Sequence, residues 1–94
     1  MPENIERPLH TWDVLEIGCG TGLLSTFIAP QVGSLLGVDT SKGMIDVFNT
    51  KTRAHPNMSG RVMLLESPEQ LEGKKFDLVT SNLLLRASGI TGDR

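Results

Sequence analysis

The sequence predicts an α/β fold, namely part of a doubly wound parallel sheet of about four strands with flanking helices. Two observations lead to this class. Short apolar runs alternate along the 94 residues with segments whose apolar residues recur at helical spacing. The first run also stops at a cluster of glycines, which allow the chain to turn sharply from a strand into a helix. Strands connected in this way pair in parallel through right-handed crossovers.

The four strands are predicted at four mostly apolar runs. These runs occupy residues 14–17, 35–38, 62–65 and 76–80. A short run that is apolar almost throughout suits a strand buried on both faces of a parallel sheet. Residues 55–60 and 73–75 are expected to form a loop and a turn because they are rich in Pro, Gly, Asn and Lys.

Two helices are predicted between the strands. The first carries one apolar stripe, made by Leu23, Leu24, Phe27 and Ile28, and is expected to end at Pro30 and Gly33. Ser41 is a good N-cap for the second helix, whose apolar residues are Met44, Ile45, Val47 and Phe48. A further helical turn is expected at residues 67–70, where Ser, Pro and Gln stand at capping positions.

Length and composition allow one small domain. The balance of 9 Lys and Arg against 11 Asp and Glu argues against a large basic face for nucleic acid or an anionic membrane. A single cysteine excludes an internal disulfide and a Cys-based zinc site, and it suits a cytoplasmic location. No apolar run reaches the ~20 residues that span a bilayer. We expect a lead-in at 1–12, the domain at 13–86 and a flexible tail at 87–94.

The glycine cluster predicts a ligand-binding turn. Gly18, Gly20 and Gly22 follow the first strand, at the sheet edge where open parallel sheets bind ligands. Glycine allows a left-handed backbone and a close approach to a ligand. The spacing G-x-G-x-G, with Leu23 next, departs from the G-x-G-x-x-G of dinucleotide sites. A turn without a ligand and a site for a different nucleotide are the alternatives.

Residues 14–22, V-L-E-I-G-C-G-T-G, closely resemble the first signature of class I S-adenosylmethionine-dependent methyltransferases. The resemblance implies a Rossmann-like fold and S-adenosylmethionine as the cofactor. It implies that the loop, with Gly18, Cys19, Gly20 and Gly22, lies against the cofactor. Glu16 would orient this loop and reach the methionine end of the cofactor. The alternative is that Glu16 is a paired strand acid.

The stretch from Gly37 to Met44 resembles the family's G-x-D-x-S-x-x-M. Asp39 lies ~20 residues beyond the loop, where an acid in a nucleotide-binding unit accepts hydrogen bonds from ribose hydroxyls. The resemblance implies that Asp39 holds the ribose and that Thr40 and Met44 line the adenine site. The alternative is that Asp39 only caps the second helix.

Two later positions complete the implied site. Ser67 stands where the family commonly has an acid for the adenine amino group, and it is equally explained as a helix cap. Ser81 ends the fourth strand, which resembles the family's F-D-L-V-x-S-N and should face the donor methyl group. The Asn/Asp-Pro-Pro motif of N-methylating branches is absent after Asn82, and no candidate general base is found.

The expected function is methyl transfer from S-adenosylmethionine to an acceptor that the sequence does not identify; a small molecule is one candidate. A non-catalytic binding remnant, a half-domain that depends on a partner, and a dinucleotide-dependent oxidoreductase are the alternatives. The resemblance covers residues 13–85, four of the family's seven strands, so we expect a truncated chain. Its fourth strand would present an open edge that a protein partner could cover.

Overall fold

The computed structural model describes residues 7–81 of the chain. Four strands, β1 (Asp13–Ile17), β2 (Ser34–Asp39), β3 (Met58–Val62) and β4 (Leu78–Ser81), form one parallel sheet in the order β3-β2-β1-β4. Helix α1 (Leu23–Ile28) connects β1 to β2, and α2 (Lys42–Thr50) connects β2 to β3. Short 3-10 turns lie at Leu9–Thr11, Ala29–Gln31 and Pro68–Leu71. The α/β class is confirmed, while the tail at 87–94 lies outside the described residues.

Each face of the sheet carries its own apolar cluster, because successive strand residues point to opposite faces. Val14 and Leu35 pack with Ile45 and Phe48 of α2 on the first face. On the second face, Leu71 of the last 3-10 turn packs against Leu15, Leu36 and Val38. The helices therefore cover one face, and a single short turn helps to cover the other.

Phe48 lies at the centre of the helix-covered face and is fully buried. Three glycines make room for its ring. A Cβ atom would lie 2.9 Å from the ring at Gly22, 2.7 Å at Gly37 and 2.6 Å at Gly60. These separations are shorter than carbon atoms tolerate, so α2 can lie this close to the sheet only because the three positions lack side chains.

The third and fourth strands differ from the prediction. Strand β3 occupies Met58–Val62 instead of residues 62–65, so the second half of the loop expected at 55–60 belongs to the strand. The pattern of apolar residues did not predict this strand, because its sequence contains polar residues and Gly60. A strand at the edge of the sheet does not require an apolar run. Strand β4 is Leu78–Ser81 instead of 76–80, although the amide of Asp77 already donates to the carbonyl of Asp13 at 2.8 Å.

Most of the apolar stripe of α1 faces away from the core, and of its four residues only Ile28 packs against the apolar cluster. Leu23, Leu24 and Phe27 are 78%, 42% and 69% exposed, while the polar Ser25 is fully buried. The helix is rotated because Gly22 packs on Phe48 and Ser25 bonds to Glu16 of β1. Helix α2 follows its prediction more closely. Its N-cap Ser41 accepts the amide of Met44 at 3.2 Å.

Candidate functional site

The glycine loop joins β1 to α1 at the carboxyl end of the sheet. All three glycines are left-handed, with φ of 74° at Gly18, 60° at Gly20 and 90° at Gly22. The amides of Gly18 and Cys19 both donate to the carbonyl of Val38, at 2.8 and 3.1 Å. The loop therefore folds across the end of the neighbouring strand β2, and the positive φ angles explain why glycine stands at these positions.

Asp39 ends β2 and is 4% exposed. Its Oδ2 accepts the amide of Gly20 at 2.9 Å, and its Oδ1 accepts the amide of Ser41 at 3.0 Å. The carboxyl group thus joins the glycine loop to the start of α2. The N-cap residue of that helix is Ser41, and Asp39 supports the same helix start through the Ser41 amide, so the alternative of a structural role for Asp39 stays open.

Glu16 is fully buried and lies on the helix-covered face of the sheet. Its Oε1 accepts a hydrogen bond from the hydroxyl of Ser25, which is also fully buried. Glu16 is therefore held beneath α1, the helix that follows the glycine loop. Sequence reasoning did not single out Ser25, because this polar residue lies outside the apolar stripe of α1, on the side of the helix expected to face solvent.

The glycines of the loop have different surroundings. A Cβ atom on Gly20 would meet nothing within 4 Å, whereas one on Gly22 would meet the ring of Phe48. Gly20 thus leaves open space beside its backbone, and Gly22 allows a helix to pack. The Cys19 side chain is buried in the apolar cluster with Phe48. Its contribution to the loop surface is consequently backbone.

A small cleft lies at the carboxyl end of the sheet, and a larger one adjoins it on the second face, where Leu15, Leu71 and Val79 line it. The smaller, of about 70 Å³, brings together Gly18, Asp39 and Thr40 with an apolar wall that includes Met63 to Leu65. The larger, of about 350 Å³, is more open. Its lining includes Ser67, and it shares Ile17 and Leu65 with the smaller cleft. Three sequence-predicted residues therefore share one cleft, and a fourth lines the next.

Ser67 also serves the local fold. It stands at the N-cap of the Pro68–Leu71 turn, and its amide donates to Oε1 of Gln70 at 3.0 Å. The amide of Glu69 and then the hydroxyl of Ser67 lower the pKa of the Glu69 carboxyl by hydrogen bonding to its charged form. The capping interpretation of Ser67 is thus supported by its position.

Met44 and Ser81 stand apart from these clefts. Met44 is 45% exposed on the first turn of α2 and lines neither cleft. Ser81 pairs with Ile17 at the carboxyl end of the sheet and is exposed. Ser81 therefore lies at the carboxyl end of the sheet, whereas Met44 lies on α2 outside both clefts.

Two kinds of site are not found within residues 7–81. No group of three His, Cys, Asp or Glu side chains in this part of the chain is placed to hold a metal ion. Among the same residues, none of the helices has the length and apolar character needed to cross a bilayer.

Comparison with known proteins gives consistent matches. The profile of a family described as a methyltransferase domain matches residues 14–89. A ubiquinone biosynthesis O-methyltransferase from Pelagibacter ubique is 39% identical over 75 residues, 79% of this chain and 30% of that protein. A release factor glutamine methyltransferase from Geobacter sulfurreducens is 33% identical over 84 residues, 85% of this chain and 28% of that protein.

A solved structure agrees with these matches. The structure of PKMT2 from Rickettsia typhi in complex with AdoHcy superposes with a TM-score of 0.67 at 29% identity. The superposition covers 78% of this chain and 15% of that one. The chain thus spans less than a third of the two curated relatives named above.

Proposed function

This chain belongs to the methyltransferase-domain family, and from that premise we propose that it binds S-adenosylmethionine and takes part in transfer of its methyl group. The observation that carries the proposal is the hydrogen bond between the Asp39 carboxyl group and the glycine loop. A buried carboxyl group bonds to the amide of Gly20, and beside Gly20 there is open space. This is an arrangement in which a nucleoside can meet both an acceptor for its hydroxyls and bare backbone.

The residues present fit this cofactor. Asp39 would accept from the ribose hydroxyls, since each carboxylate oxygen can accept more than one hydrogen bond. The apolar wall at 63–65 and Thr40 would take the adenine in the small cleft, with the larger cleft adjoining. Gly18, Gly20 and Gly22 would carry the loop past the methionine part. The contributions of Cys19, Met44, Ser67 and Ser81 stay predictions.

Methyl transfer does not require a protein side chain to form a covalent bond with the substrate. The cofactor supplies an electrophilic methyl group on a sulfonium. The chain's own residues bind and orient, and alignment of the reactants accounts for several kcal/mol of such barriers. Glu16, held by Ser25 beneath the loop, would contribute by fixing the loop and by placing a carboxyl group near a cationic ligand.

The acceptor is not proposed beyond a substrate with a nucleophilic atom, because the relatives are named for different acceptors. We propose a cytoplasmic location from the single free thiol, Cys19. Strand β4 pairs with β1 alone within residues 7–81, and a protein partner along its other edge stays a prediction.

The binding test is calorimetric titration of the 94-residue chain with S-adenosylhomocysteine and, separately, with NAD⁺. We expect S-adenosylhomocysteine to bind and NAD⁺ not to bind. Gly20→Val should abolish binding because it fills the open space, while Gly73→Val, which carries the same backbone strain at a φ of 80° beside open space but lines neither cleft, should not. Binding of NAD⁺ in its place, or full affinity in Gly20→Val, would refute the site.

A second variant tests the ribose contact. Asp39→Ala should weaken S-adenosylhomocysteine binding by roughly 1–3 kcal/mol through the lost hydrogen bonds. Asp46→Ala, an exposed acid on α2, is the matched control. An Asp39→Ala protein that loses stability but keeps its affinity would leave Asp39 with a structural role only.

A radiolabelled methyl-transfer assay against mixed extracts tests turnover. Label transferred to an acceptor supports the enzyme. Binding without transfer would favour the alternative of a non-catalytic module.

A further inference from the structure

We propose that Lys51 is a positioning residue that holds the glycine loop in the conformation that receives the cofactor, an inference that rests on the proposed function. Lys51 directly follows α2 and is half-buried. Its Nζ donates to the carbonyl oxygen of Thr21 at 2.7 Å, across 30 residues of sequence. The ammonium group therefore fastens the middle of the loop to a different helix.

The contact acts on the loop between two glycines, the residue type with the greatest backbone freedom. Thr21 lies between Gly20 and Gly22, both of which are left-handed. The carbonyl of Thr21 and the amide of Gly22 belong to one peptide plane. Lys51 holds the oxygen of this plane, and the amide donates to the carbonyl of Cys19 at 3.1 Å. Both ends of the peptide are thereby fixed.

The same helix supports the loop at a second point. Phe48, three residues before Lys51, fills the space beside Gly22. At its other end, α2 begins at Ser41, whose amide donates to Asp39. Helix α2 thus connects the carboxyl group expected to hold the ribose with the loop expected to lie along the rest of the cofactor.

A loop with three glycines loses much conformational freedom when it is ordered. A loop that is already fixed before the ligand arrives avoids that cost at binding. A hydrogen bond from a charged donor is strong enough to fix a peptide plane in this way. Lys51 should therefore raise affinity for the cofactor without touching it.

The test compares Lys51→Met, which removes the donor at similar length, with Lys51→Arg, which keeps a cationic donor. Lys42→Met is the control, since Lys42 lies at the start of α2 and pairs only with Asp46 in residues 7–81. We expect Lys51→Met to raise the Kd for S-adenosylhomocysteine about tenfold, which corresponds to about 1.4 kcal/mol. Lys51→Arg should recover most of the affinity, and Lys42→Met should leave it unchanged.

Hydrogen exchange of the ligand-free chain supplies a readout that does not depend on binding. In Lys51→Met, the amides of residues 18–22 should exchange faster while the amides of β1 and β2 do not. If the wild-type chain bound no S-adenosylhomocysteine, the proposed function would fail. The exchange experiment would still test whether the hydrogen bond from Lys51 to Thr21 fixes the loop. Unchanged loop exchange, or an affinity loss that Lys51→Arg does not repair, would overturn the positioning role.

Discussion

Gly37→Ala is expected to destabilise the fold although it adds a single methyl group. Gly37 lies in the middle of β2, opposite Glu16 and beneath Phe48. Its new Cβ would lie 2.7 Å from Cε2 of Phe48, 2.8 Å from Sγ of Cys19 and 2.9 Å from Cβ of Cys19. All these neighbours are buried, so none can move without displacing others.

The size of the effect follows from the packing. Overpacking of a well-filled core costs typically about 1–3 kcal/mol. A chain of 94 residues has a free energy of unfolding of roughly 5–14 kcal/mol, scaled from about 0.05–0.15 kcal/mol per residue. The variant should remain folded, and its melting temperature should fall by about 4–8 °C for each kcal/mol lost.

Urea unfolding followed by the fluorescence of Trp12 measures this effect, because Trp12 is the single tryptophan and packs against the cluster that contains Phe48. Gly43→Ala is the matched control. Its Cβ, on the first turn of α2, would come no closer than 3.9 Å to Ser41 Oγ. Gly43→Ala should stabilise the chain by roughly 0.5–1 kcal/mol, the opposite sign, through helix propensity.

The contribution of Phe48 is isolated by adding Phe48→Leu, which removes Cε2, the ring atom nearest to the added methyl. The double variant should be more stable than the sum of the single effects by roughly 0.5–3 kcal/mol. If the Gly37→Ala protein were as stable as the wild type, or if its effect added strictly to that of Phe48→Leu, the argument that Gly37 makes room for the Phe48 ring would be wrong.

Three further outcomes are expected from contacts outside the loop. The Arg7 guanidinium and then the amide of Asp13 hold the pKa of Asp77 below its usual 3.8, so this group stabilises the fold above about pH 4 and the stabilisation is lost as pH falls through the folded pKa. Arg7→Met should therefore reduce the acid dependence of the melting temperature. Ser25→Ala should lower the free energy of unfolding by roughly 1–3 kcal/mol, because it removes a donor from a buried carboxyl group. Gln70→Leu should accelerate hydrogen exchange at the amides of Glu66 and Ser67. The side-chain oxygen of Gln70 accepts both amides, and its side-chain nitrogen donates to the carbonyl of Leu64.

Each of these outcomes has a comparison that would contradict it. If the melting temperature fell with decreasing pH in the same way in Arg7→Met and in the wild type, Arg7 would not be the cause of the lowered pKa of Asp77. A Ser25→Ala protein within the scatter of exposed Ser→Ala variants would show that its hydroxyl adds nothing to Glu16. Gln70→Glu keeps both acceptor contacts and should exchange almost as slowly as the wild type.

Sequence reasoning succeeded where a feature is encoded by neighbouring residues. The alternation of apolar runs and helical stripes predicted the parallel sheet, and Ser41 predicted the start of α2. The glycine spacing predicted a left-handed loop at the carboxyl end of β1, where Gly18, Gly20 and Gly22 have positive φ. Asp39 was expected to serve the same site as this loop because of its place ~20 residues farther along the chain and because of the resemblance of its surroundings to the family's motif.

The features that sequence reasoning missed depend on residues far apart in the chain. The ring of Phe48 needs glycines at 22, 37 and 60, and none of these spacings forms a local pattern. The same packing turns Leu23, Leu24 and Phe27 of α1 outward and buries Ser25 against Glu16. Lys51 reaches Thr21 only because α2 crosses behind the loop.

Local order along the chain thus determined which elements form and where the candidate site lies. Only the tertiary structure decided which side chains hold that site together, because those contacts arise from how the helix crosses the sheet, a relation that no short stretch of sequence contains.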